Sequence, residues 1–72
     1  MKKTVIITTP FIRLDALLKF TGLVQTGGEA KIRVLNREVK INGEVCDIRG
    51  KKCRTGDQVQ MGDAIITIAD GP

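Results

Sequence analysis

Histidine, serine, tyrosine and tryptophan are all missing from this 72-residue sequence, and phenylalanine and cysteine each occur only twice. Each absence removes a class of function. Without histidine or serine there is no imidazole base and no serine nucleophile. The thiols of Cys46 and Cys53 are the only strong nucleophiles left, and a cysteine on a strand with no base beside it reads as a small core residue. A structural zinc site takes about four Cys or His ligands, more than two cysteines supply, so no metal is expected. Glu44 with Asp47, and Asp57 with Asp63, fall in turns beside glycines and basic residues, where solvated surface charge explains them. No catalytic residue, no cofactor and no enzymatic activity are expected.

Long apolar runs are also lacking. Val5-Ile6-Ile7 and Ala64-Ile65-Ile66 fall far below the roughly 20 residues that span a bilayer. Lys2 and Lys3 are not followed by a signal-peptide core or a small-residue cleavage site. The expected compartment is therefore the cytoplasm, with no membrane partner. Two thiols without a secretion signal read as free and half-buried there. Aromatic platforms for single-stranded bases are absent, because Phe11 and Phe20 are the only rings and both are expected in the core.

What is present is an ordinary apolar content of 42% with 28% charged residues, the balance of a folded chain rather than a disordered one. A chain this short buries only roughly 60% of its surface, so residues 1–72 are read as one domain and as a monomer. The net charge is +4 and the isoelectric point about 9.4. Its distribution says more than its size. Residues 25–54 carry eight positive and four negative charges, whereas residues 55–72 carry no positive charge and three negative ones.

Residues 4–8 are β-branched and apolar, which favours a strand that Pro10 ends. Leu14, Leu17 and Leu18 follow helical spacing, with Gly22 placed to terminate a helix over about residues 14–21. Thr26-Gly27-Gly28-Glu29 reads as a capping box, in which the Thr26 hydroxyl accepts from the Glu29 N–H and the Glu29 carboxylate returns to the Thr26 N–H. It opens a second helix to about Asn36, after a link of about four or five residues. The pattern then turns to period two at Val39 and Ile41, and Asn42-Gly43 is a two-residue hairpin signal. Turns at Arg49-Gly50-Lys51-Lys52 and Thr55-Gly56-Asp57 precede closing strands at Val59 with Met61 and at residues 64–68. The fold class is α+β, two short helices packed on a small, mostly antiparallel sheet.

The basic residues Arg13, Lys31, Arg33, Arg37, Lys40, Arg49, Lys51, Lys52 and Arg54 surround the helices and the hairpin. Arg33 and Arg37 share a polar helix face with Glu29 and Asn36. Lys31 instead falls in the arc of Ala30, Ile32, Val34 and Leu35, where it either snorkels over the core or stands at the rim of a ligand site. Gly27-Gly28 either eases the turn into the helix or leaves backbone N–H groups open to a phosphate. Phosphate contacts from such residues give affinity without base readout. Shape and backbone, hence a folded RNA, are the expected target.

Taken together, Arg13-Leu14-Asp15-Ala16-Leu17-Leu18, Thr26-Gly27-Gly28-Glu29-Ala30-Lys31, and Val39 through Val45 with Arg49-Gly50-Lys51-Lys52 and Gly56-Asp57-Gln58-Val59 resemble the S-four RNA-binding domain. That family is named for ribosomal small-subunit protein four, and its motif is called alpha-L. The resemblance covers about residues 12–61 and is greatest to short stand-alone bacterial proteins of the YbcJ and YaaA type. It implies a non-catalytic module binding structured ribosomal or transfer RNA, in ribosome assembly or translation. The RNA-facing positions it implies are Arg13, Thr26, Gly27, Gly28, Lys31 and Lys40, with Arg49, Lys51 and Lys52 extending the surface. Members often have serine-arginine-serine where this chain has Thr26-Gly27-Gly28, so one basic contact is missing. Many have glycine where this chain has Arg37, so Asn36 or a strained arginine must carry a left-handed helix terminus.

Two other readings compete. A protein-protein adaptor would use the same basic face to hold an acidic partner. A β-grasp sulfur carrier would share Ile41-Asn42-Gly43-Glu44, but its chemistry needs a Gly-Gly carboxylate, and this sequence ends in Asp70-Gly71-Pro72.

Overall fold

The computed structural model describes residues 1–71. Pro72, the last residue of Asp70-Gly71-Pro72, lies outside the described residues. Among the described residues, seven strands and two helices follow one another as β1 (Lys2–Ile7), β2 (Ile12–Arg13), α1 (Leu14–Phe20), α2 (Gly27–Leu35), β3 (Val39–Ile41), β4 (Glu44–Val45), β5 (Lys52–Cys53), β6 (Gln58–Met61) and β7 (Ala64–Asp70). Five strands form one sheet in the order β1-β7-β6-β3-β4, and β2 pairs with β5 in a separate two-stranded ladder. The sheet is antiparallel except where β1 lies parallel to β7. The class is thus the α+β arrangement expected, with β2, β5 and the parallel pairing added.

Alternation decides which sheet face is covered. Val5 and Ile7 of β1, Val39 and Ile41 of β3, Val59 of β6, and Ile66 and Ile68 of β7 are buried against Leu14, Leu17 and Leu18 of α1 and Ala30 and Val34 of α2. At the opposite pleat the register aligns Lys2, Ile65, Gln60, Lys40 and Val45 in one row across the sheet. Both helices among the described residues bury their side chains in the core on the other face, since successive side chains of a strand face opposite ways.

Helix two buries less than its apolar content suggests. Only Ala30 and Val34 face the core, while Ile32 and Leu35 remain 59% and 57% exposed. Lys31 therefore stands on an open helix face rather than in the core arc. Phe20 is likewise not a core residue, being 72% exposed at the last position of α1. Phe11 is half-buried beneath Lys52, whose Nζ lies 4.9 Å from the ring centroid. A nine-residue helix on so small a sheet has room to bury one narrow stripe, and the i, i+4 pair Ala30 and Val34 fills it. The link between the helices spans residues 21–26, longer than expected, and Val24 anchors it in the core.

Both helices end in the same cap. At α1 the Gly22 N–H donates to the Lys19 carbonyl at 3.1 Å and the Leu23 N–H to Leu18 at 3.1 Å, with Gly22 at φ +80°. At α2 the Arg37 N–H donates to Val34 at 3.0 Å and the Glu38 N–H to Arg33 at 3.2 Å, with Arg37 at φ +61°. This is the paired-bond Schellman arrangement, whose left-handed position is normally glycine. Arg37, not Asn36, carries it in α2. The apolar contact that usually accompanies the cap is replaced there by an ion pair, Arg33 to Glu38 at 2.8 Å. The hairpin turn follows its signal, with Asn42 at φ +52° and Gly43 at φ +87°, the left-handed pair that a two-residue turn needs.

Candidate nucleic-acid interface

The β2–β5 ladder brings basic residues from two parts of the chain together. It sets Arg13 directly opposite Lys52. The chain leaving β2 turns at once into α1, whose first amide donors would be unsatisfied without a cap. They are met by the loop before β5: the Leu14 N–H donates to the Lys51 carbonyl and the Asp15 N–H to the Arg49 carbonyl, both at 2.9 Å. Arg49, Lys51 and Lys52 are thereby tied to Arg13 by backbone bonds. A turn closed by the Lys51 N–H on the Ile48 carbonyl at 3.1 Å holds that loop.

Arg13 is oriented as well as placed. Its guanidinium forks onto Asp15, with Nε 3.2 Å from Oδ1 and Nη2 3.1 Å from Oδ2. Gly50 lets it lie close, since a Cβ there would come within 3.3 Å of Nη2. By contrast, Arg49, Lys51 and Lys52 take part in none of the ion pairs among the described residues.

The start of α2 supplies a different chemistry. Thr26 caps it, its Oγ1 accepting from the Glu29 N–H at 3.0 Å. The return half of the expected box is altered: Glu29 Oε1 accepts from the Gln25 N–H at 2.9 Å rather than from Thr26. Gly27 and Gly28 then open the helix with exposed N–H groups, and the helix dipole favours an anion there. Neither glycine answers a steric need of the chain, because a Cβ would meet nothing within 4 Å at Gly27 and only Thr26 Oγ1 at 3.8 Å at Gly28. Neither has positive φ. The turn therefore does not require them.

These two regions meet where the helices pack. Asp15, Ala16, Lys19 and Gly27 line one shallow depression of about 230 Å³, so the exposed side of α1 joins the Arg13 cluster to the α2 start. Lys31, one turn on, is exposed and takes part in no ion pair among the described residues. Lys19 is a cation that the sequence reading passed over. Its spacing from Asp15 and Ala16 on one short helix was the available signal.

Lys40 is not brought to this surface. It faces outward from β3, opposite Gln60 and Val45, while its neighbours Val39 and Ile41 face the helices. Arg33 is engaged elsewhere, bridging Glu29 at 3.6 Å and Glu38 at 2.8 Å. The hydrogen bond and charge of Glu38 hold its pKa above the ordinary value.

The two thiols are free. Cys53 is fully buried rather than half-buried, and loss of solvent, with help from Asp57 and Cys46, pushes its thiol up to about 11. Among the described residues no group of three or more Cys, Asp or Glu is arranged to hold a metal ion, and no helix is long and apolar enough to cross a membrane.

Comparison with known proteins agrees with this architecture. The S4 domain model matches residues 5–69. A Bacillus subtilis (strain 168) protein named as a probable ribosome maturation protein, RlbA, is 36% identical over 61 residues, covering 85% of this chain and 86% of the relative. With two helices on a mostly antiparallel sheet and a match that takes in nearly its whole length, the chain belongs to the S4 domain family.

Proposed function

We propose that this protein is a non-catalytic RNA-binding module that holds structured RNA, ribosomal RNA above all, through the surface formed by Arg13, Arg49, Lys51 and Lys52 with Lys19, Gly27, Gly28 and Lys31. The observation that carries the reading is the stitching of the Arg49–Lys52 loop onto the first amides of α1. It gathers cations distant in sequence beside the open amides of α2. Backbone amides and flexible lysines suit phosphate oxygens at a fixed spacing, which is recognition of shape. The exposed Phe20 sits at the last position of α1, the end away from Arg13. The relative's name as a probable ribosome maturation protein supports a ribosomal setting.

Catalysis has little to draw on. A thiol held near 11 is almost wholly protonated at neutral pH and reacts poorly. Lys40 lies outside the proposed surface and belongs to a separate patch with Lys2 on the outer sheet face.

Ultraviolet crosslinking in cells, followed by sequencing of the attached RNA, tests the proposal. Enrichment of folded ribosomal or transfer RNA segments is expected, with most of the signal lost in a Lys31→Ala, Lys51→Ala, Lys52→Ala variant. Recovery of RNA at background level would sink it. A second reading, a basic adaptor for an acidic protein, draws on Ile32 and Leu35, exposed beside Lys31. It predicts crosslinked protein in place of RNA.

A further inference from the structure

A groove of about 610 Å³ lies between the β3–β4 hairpin and the segment 51–54, within the roughly 300–1,000 Å³ typical of sites for small ligands. The chain's own packing does not explain its lining. Lys51, Lys52 and Arg54 line it without ion pairs among the described residues. Val45 and Ile48 line it too, 50% and 61% exposed, with half-buried Cys46 between them. Large aliphatics left in water beside unpaired cations match a ligand that is part apolar and part anionic.

The groove is also held in shape. Asn42 Nδ2 donates to Asp57 Oδ1 at 3.1 Å, the Arg54 N–H donates to Asp57 Oδ2 at 2.8 Å, and the Gln58 N–H donates to Asn42 Oδ1 at 2.9 Å. Both carboxylate oxygens of Asp57 are thus occupied from within. Glu44 and Asp47 line the hairpin side and take part in no ion pair among the described residues.

We infer that this groove receives one unstacked nucleotide of the bound RNA. Its phosphate rests on Lys51, Lys52 and Arg54, its base lies against Ile48 and Val45, and exocyclic amino groups face Glu44 and Asp47. The inference builds on the RNA-binding reading and adds the feature of the RNA that is chosen. Continuity identifies the occupant: Lys51 and Lys52 belong both to the groove and to the basic surface, Lys51 through its carbonyl bond to Leu14 and Lys52 through its pairing with Arg13. A polyanion lying on that surface meets the groove without leaving it. Aliphatic walls stack a base less strongly than aromatic ones, so the groove does not repay opening a base pair. It takes a nucleotide that is already unpaired, because unstacking costs least there.

The experiment compares two RNA hairpins of equal stem length, one with a single bulged adenosine and one fully paired, by fluorescence anisotropy at fixed salt. Wild type is expected to prefer the bulged hairpin by about tenfold, the scale of one base contact. Ile48→Gln, a neutral change at an exposed position, is expected to reduce that preference to below about twofold while affinity for the paired hairpin holds; Val45→Gln repeats the test on the other wall. Equal binding of the two hairpins by wild type, or an unchanged preference in both variants, would overturn the inference and leave the RNA-binding reading standing. Failure of wild type to bind either hairpin would overturn both.

Discussion

Arg37→Gly should make this protein more stable, although it removes a side chain and adds none. Arg37 occupies the left-handed position of the α2 cap at φ +61°. For an L-residue that conformation costs about 1–2 kcal/mol, and glycine avoids it. Glycine in turn gives the unfolded chain more freedom, worth about 0.5–1 kcal/mol against the variant. The net expectation is a gain of about 0.5–1 kcal/mol, since Arg37 joins no ion pair among the described residues that the change would break. In a domain of this size that raises the melting temperature by about 2–8 °C. The chain itself supplies the mirror experiment: Gly22 holds the same position in α1 at φ +80°, with open space around a would-be Cβ. Gly22→Ala should therefore cost about 0.5–1 kcal/mol, the backbone strain less the unfolded-chain freedom that alanine removes. With no tryptophan or tyrosine to report by fluorescence, urea unfolding followed by far-ultraviolet circular dichroism is the assay, read as a shift in midpoint at constant slope. A loss of stability in Arg37→Gly, or no loss in Gly22→Ala, would refute the reasoning.

Further expectations follow from the cap and the thiols. Thr26→Ala should cost about 1 kcal/mol, because the Glu29 N–H loses the oxygen it donates to, and Thr26→Ser should restore most of it; equal midpoints for the two variants would contradict this. In native buffer Cys46 should react with a thiol reagent well before Cys53, which reacts only on opening of the core; simultaneous labelling would place Cys53 at the surface. Because folding raises the Cys53 pKa from 9.0 to about 11, the unfolded chain loses that proton first as pH rises. Stability should then be complete below about pH 9 and fall between about 9 and 11. Cys53→Ala should lack that part of the alkaline loss, and an identical slope would contradict the assignment.

How much of this was legible in the sequence depended on the range of the interaction. The β3–β4 hairpin follows from Asn42-Gly43, and α1 from Leu14, Leu17 and Leu18 with Gly22, because each feature is set by residues a few positions apart. The β2–β5 ladder was not legible: Ile12–Arg13 and Lys52–Cys53 are too short to show a period, and what pairs them lies some 40 residues apart in the chain. The parallel contact of β1 with β7 joins opposite ends of the chain for the same reason. Binary patterning placed Ile32, Leu35 and Phe20 inside, yet a sheet this small cannot cover every apolar side chain of two helices. The candidate site divides along the same line. Thr26, Gly27 and Gly28 were readable as a local cap. The grouping of Arg13 with Arg49, Lys51 and Lys52 rested on a family resemblance, and the fold supplies the bonds that account for it. Lys40 shows the limit, since period two places it on the opposite face from Val39 and Ile41, and only the covered face tells which side the helices occupy.

Binding of RNA phosphates by cations gathered through backbone stitching is reported directly by salt. Lys19, Lys31, Arg49, Lys51 and Lys52 form no ion pair among the described residues, so up to five of them can displace counterions. The logarithm of the association constant for a structured RNA hairpin should then fall against the logarithm of salt concentration with a slope of about −3.5 to −4.5. In the Lys31→Ala, Lys51→Ala, Lys52→Ala variant it should shrink to about −1.5 to −2. A slope near zero, or one that the triple substitution leaves unchanged, would contradict the account.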